Sequence, residues 1–100
     1  MPDFGSSFSG LPNDRKLSDD ELIRATRFLV AAEYEATQLY TQLVESTGNK
    51  IAIAVLMDIA GEERVHAGEF LCLLHELAPD EQIFYTKGSK EVEAMIKELK

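Results

Sequence analysis

The sequence has little cysteine, little basic charge and no long apolar run, and each shortage excludes a class of protein. Its 100 residues include a single cysteine, Cys72, so no internal disulfide can form and a reducing compartment is expected. Lys and Arg number 10 against 18 Asp and Glu, and the net charge of −8 disfavours nucleic acid and anionic membrane as partners. It favours cations. No apolar stretch approaches the roughly 18 to 20 residues of a membrane span, and the N-terminus lacks a charged segment leading into an apolar one. The expectation is a cytoplasmic protein with neither nucleic acid nor membrane as partner. Internal repeats and low-complexity tracts are also missing.

What remains, 45% hydrophobic and 28% charged residues, suits one globular domain. Residues 1–16 stand apart. Pro2, Gly5, Ser6, Ser7, Ser9, Gly10, Pro12, Asn13 and Asp14 resist regular structure, which predicts a flexible arm ahead of a helical domain over 17–100. Phe4, Phe8 and Leu11 are spaced to dock on another surface, although scattered apolar residues in a tail often do nothing.

The domain reads as all-α. Ser18 with Glu21 forms a capping box, Leu17 and Leu22 a hydrophobic staple, and Asp19 and Asp20 suit a helix N-terminus. From there Leu22, Ala25, Phe28, Leu29, Ala32, Ala36, Leu39, Tyr40 and Leu43 recur at helical intervals to Ser46, and Thr47-Gly48-Asn49 closes the helix. A second helix is predicted from Lys50 to Leu77, roughly 42 Å long at about 1.5 Å per residue. Its first half, Ile51 to Met57, is apolar almost all round and calls for burial on more than one side. Pro79-Asp80 ends it. Ile83-Phe84-Tyr85 then reads as a crossing segment, and Ser89 as the cap of a short amphipathic helix through Val92, Met95, Ile96 and Leu99.

Chemistry concentrates in the second helix at Glu63-x-x-His66. A three-residue step puts both side chains on one face, where they can converge on an ion. The same face carries Leu56, Ile59, Ala60, Phe70 and Leu73, and a carboxylate among them costs several kcal/mol unless it is paired or metal-bound. The motif alone arises readily by chance in an acidic chain. A second inward carboxylate strengthens it: Glu33 shares the stripe of Leu29, Ala36 and Tyr40 on the first helix. Glu35 is turned about 200° from Glu33, which suits a solvated or intersubunit role. Tyr40 sits two turns from Glu33, with core packing as its ordinary role. Cys72-x-x-His75 would be half a zinc site without a second pair, so Cys72 reads as a small core residue.

Two antiparallel helices cannot enclose a core, so the hairpin is expected to pair with itself across a two-fold axis into a four-helix bundle. Di-iron carboxylate bundles take one Glu from each of two helices and a Glu-x-x-His pair from each of the others. Glu33, Glu63 and His66 are half of that set, and two chains supply four carboxylates and two imidazoles.

On Glu33-x-Glu35, Tyr40 and Glu63-x-x-His66 at this separation, the sequence resembles the encapsulated ferritin family, short ferritin-like proteins carried inside encapsulin shells. The likeness spans Leu22 to Leu77. It implies a ferritin-like hairpin that dimerises around a ferroxidase centre, dimers assembling into a ring-shaped decamer, and an encapsulin shell protein as partner. Glu33, Glu63 and His66 match the metal ligands, Tyr40 the tyrosine beside the centre, and Glu35 one carboxylate of an outer metal site whose neighbouring Glu is here Ala32. The implied cofactor is a di-iron centre, with Mn or Zn as substitutes, and the implied role is iron storage and detoxification within the nanocompartment. The rival readings are a non-enzymatic helical assembly or adaptor module, and a rubrerythrin-like or di-manganese protein. One cysteine cannot build the four-thiolate iron site of a complete rubrerythrin.

Overall fold

Ser18 starts the described fold as its position demands. Its Oγ accepts from the Glu21 N–H at 3.2 Å while the Glu21 carboxylate accepts from the Ser18 N–H at 3.0 Å, so two helix-end donors are satisfied reciprocally. The Arg15 guanidinium grips the same carboxylate with two bonds of 2.9 Å. These donors, Arg15 foremost and the Ser18 amide next, hold the Glu21 carboxyl down at about 2.

The computed structural model describes residues 15–100 as three helices, α1 (Asp19–Ser46), α2 (Lys50–Leu77) and α3 (Glu81–Leu99), with no strand among the described residues. All but the last two residues of the expected flexible arm fall outside that range. Between α1 and α2, Thr47 Oγ1 accepts from the Asn49 N–H, and Asn49 Oδ1 caps α2 by accepting from the Ala52 N–H at 2.9 Å. Both helices end and begin where the sequence pattern places them.

The hairpin closes along a narrow seam. Thr26 and Val30 from α1 meet Ala60, Ala67 and Leu74 from α2, and these five are the buried ones among the described residues. The seven-residue spacing of the α2 set keeps one stripe against its neighbour, and two alanines in it let the helices approach. Thr26 is wholly buried, its hydroxyl satisfied by the Leu22 carbonyl at 2.8 Å.

This seam is narrower than the apolar stripe of the sequence. Leu22, Leu29, Leu39 and Leu43 stay exposed on α1, as do Ile51, Val55, Met57 and Leu73 on α2. Two helices touch over a strip, and the remaining apolar surface lies around each helix from it. Cys72 is exposed too, which corrects its reading as a core residue.

The third element departs most from expectation. Where the pattern suggests a crossing segment and a short helix capped by Ser89, α3 is a continuous helix of 19 residues that includes Ile83, Phe84, Tyr85, Gly88 and Ser89. Pro79 lies ahead of the N-cap Asp80 and outside α3, so it closes α2 without interrupting the helix that follows. One interior glycine costs about 1 kcal/mol against alanine, too little to break backbone bonding that continues on both sides of it. None of α3 is buried. No described helix is long and apolar enough to cross a membrane.

Candidate metal centre

Glu33 enters from the middle of α1 and Glu63 and His66 from the middle of α2, where the seam is tight and neither helix has frayed. One ligand atom from each residue lies within 4.8 Å of the others. The His66 Nδ1 stands 3.7 Å from Glu33 Oε1 and 3.6 Å from Glu63 Oε2, too long for direct hydrogen bonds and right for groups that share a third partner. The carboxylates are sheltered, with side-chain exposures of 15% for Glu33 and 19% for Glu63, while the imidazole is 48% exposed. The cluster thus lies at the edge of the seam, and His66 opens it to the flank of the hairpin.

One atom decides how to read the cluster. Glu33 Oε2 is buried and has no hydrogen-bond partner. A carboxylate oxygen left so costs roughly 1–3 kcal/mol or more, and a cation held jointly with Glu63 and His66 removes that cost. The donor set of two carboxylates and one imidazole suits a borderline or hard divalent ion such as iron, manganese or zinc. The residues present fit such an ion.

The other expected site residues lie apart. Glu35 is exposed and stands outside the three-residue cluster. Tyr40 is half-buried, seven residues from Glu33 and thus about 10 Å along the helix. A cleft of about 450 Å³, lined by Tyr34, Thr37, Gln38, Arg64, Ala67 and Leu71 among others, shares no residue with the cluster. The sequence pattern also passed over a polar contact beyond the hairpin, in which Arg27 pairs with Glu81 and Tyr85 meets His75. Glu81 and Tyr85, four residues apart, were the available signal.

Known proteins resemble this chain in sequence and in fold. No protein-family model matches the chain. The chain is 37% identical over 91 residues to the encapsulin nanocompartment cargo protein EncC of Myxococcus xanthus, covering 91% of this chain and 68% of that protein. It belongs to the encapsulated ferritin family. A second relative, the ferritin-like-encapsulin shell fusion protein of Pyrococcus furiosus, is 36% identical over 78 residues. There the match spans 78% of this chain and only 22% of the fusion protein. The crystal structure of the encapsulated ferritin domain from Pyrococcus furiosus superposes with a TM-score of 0.79 at 30% identity, covering 86% of this chain and 88% of that one. This encapsulated ferritin therefore has the all-helical fold of that domain.

Proposed function

We propose that this encapsulated ferritin is a ferroxidase: two chains complete a di-iron centre at which Fe(II) is oxidised to Fe(III) with dioxygen as electron acceptor. The reading rests on the orphaned Glu33 Oε2 inside a half-set of ligands. Bound iron supplies the electron transfer. Glu33 and Glu63 supply negative charge in a sheltered position, which favours the more highly charged Fe(III) over Fe(II). His66, the most exposed of the three, adds a neutral donor on the open side, where a second chain and the Fe(II) substrate can both reach.

A two-fold axis beside this flank doubles the ligands to four carboxylates and two imidazoles, a set for two ions. Tyr40 is proposed as an aromatic neighbour of the centre and Glu35 as an outer carboxylate that guides cations inward. Rings of such dimers, decamers in the fullest form, enclose little space, so mineral needs a surrounding compartment. The Myxococcus xanthus relative is by name an encapsulin cargo protein, and an encapsulin shell is the compartment proposed here.

The deciding experiment is anaerobic titration with Fe(II), followed by oxygen, with absorbance and oligomer mass recorded. Saturation at about two irons per dimer and fast oxidation are expected from the ligand count. Oxidation no faster than in buffer would leave an assembly module without this activity.

A further inference from the structure

The third helix is held by means unlike those that hold the hairpin. No residue of α3 is buried, and Ile83, Phe84, Val92, Met95 and Leu99 are each more than half exposed, so apolar packing does not fix its direction. What joins it to the hairpin is polar and lies in its first two turns. Arg27 of α1 pairs with the Glu81 carboxylate, the Tyr85 hydroxyl donates to that same carboxylate, and the Tyr85 ring meets the His75 ring of α2 at 6.3 Å and a tilt of 48°. Four side chains from three helices converge on one corner.

The covalent connection is short and has a soft point. Ala78, at φ −134° and ψ 66°, lies outside the helical region, whereas Asp80 is already helical and makes no side-chain cap. A residue before proline is biased away from helical backbone, so Ala78 is where the chain turns. Rotation there swings α3 as a unit, and the corner contacts oppose it.

We infer that Arg27, Glu81, Tyr85 and His75 form a polar clamp that sets the direction of α3 about a hinge at Ala78. The clamp is releasable, because its Arg27 side chain is 46% exposed and an exposed ion pair weakens as salt rises. Its consequence lies further along the helix. Val92, Met95, Ile96 and Leu99 follow Tyr85 by 7, 10, 11 and 14 positions and so continue its face of the helix. The clamp decides where that apolar stripe points, and with it which surfaces α3 can reach. This is independent of the metal centre.

The native Cys72 is exposed on α2 and offers one labelling position; Lys97→Cys near the end of α3 offers the second. Full-length chains spin-labelled at both, diluted into unlabelled protein so that distances between chains drop out, report the α2–α3 distance by pulsed electron resonance. A narrow distribution is expected. Arg27→Gln and Glu81→Gln should each broaden it or add a second distance, Tyr85→Phe should do so less, and Glu91→Gln, away from the corner, should leave it unchanged. Salt near 1 M, where the Debye length falls to about 3 Å, should broaden the distribution of the double-cysteine chain carrying no clamp substitution. Far-UV circular dichroism confirms that helicity persists in each variant. An unchanged distribution in both the Arg27 and Glu81 variants would overturn the clamp and assign the direction of α3 to its turn or to contacts with other chains.

Discussion

Glu33 turns one carboxylate oxygen into the protein without a donor, and its other oxygen stands 3.7 Å from His66, beyond a hydrogen bond. A structural role would show the opposite, a satisfied carboxylate whose loss weakens the fold. Glu33→Gln should therefore raise metal-free stability by about 1 kcal/mol, roughly 4–8 °C for a domain of this size, in thermal melts after chelation. Glu33→Ala, Glu63→Ala and His66→Ala should each abolish fast oxygen consumption with Fe(II), since each would remove two ligands from the proposed two-chain centre; lowered stability with normal oxidation would instead assign a structural network. Glu35→Ala, outside the cluster, should change the rate modestly and leave iron stoichiometry alone in the same titration. At the N-terminus of α1, the Glu21 carboxyl is depressed to about 2 by Arg15 and the Ser18 amide, so its contribution is fully present above the ordinary glutamate range near 4.3 and lost as pH falls towards 2. Urea melts should show the gap between wild type and Glu21→Gln narrowing across that window. The convergence of Glu33, Glu63 and His66 was legible because charges interrupt apolar stripes at helical spacing. The exposure of His66 was not, because it depends on how far around α2 the partner helix reaches.

Helix limits were legible wherever a side chain settles them. Ser18 with Glu21 fixes the start of α1 and appears in the structure as hydrogen bonds, whereas Asn49, read from the sequence only as part of the turn closing α1, proves also to cap α2. The start of α3 lacks such a mark, since Asp80 makes no side-chain cap, while Gly88-Ser89 offers a plausible false start. Local preference lost there to continuous backbone bonding. Gly88 has open space around a would-be Cβ and no unusual φ, so nothing but entropy distinguishes it from alanine. Gly88→Ala should stabilise α3 by about 0.5–1 kcal/mol. Because α3 buries nothing, that gain belongs to local opening and not to the global melt. Hydrogen exchange should slow in the amides around residue 88 while those of the Thr26–Leu74 seam keep their rates; a rise in global melting temperature alone would mean that α3 unfolds together with the hairpin.

The chain as a whole is too open to be finished. Its radius of gyration is 17.6 Å, where a compact chain of this length has about 13 Å, and the buried apolar set among the described residues is Val30, Ala60, Ala67 and Leu74. Leu29, Leu39 and Leu43 on α1, with Val55 and Leu73 on α2, remain more than 40% exposed, and Ile51 reaches 78%. Covering them needs further helices, and an isologous second hairpin supplies two at once. The same contact would bring a second Glu33, Glu63 and His66 to the first set, concentrating four carboxylates that repel one another until cations arrive. Assembly and metal binding should therefore be linked. Free metal at 100 times its Kd is worth about 2.7 kcal/mol per site to the associated state, close to a hundredfold in the association constant. Sedimentation of chelator-treated protein should show dissociation on dilution that Fe(II), Mn(II) or Zn(II) reverses. Glu63→Ala should lose the metal response while keeping whatever association the apolar flank provides alone. Identical association with and without each metal would show that exposed leucines, and not the ligands, hold the chains together.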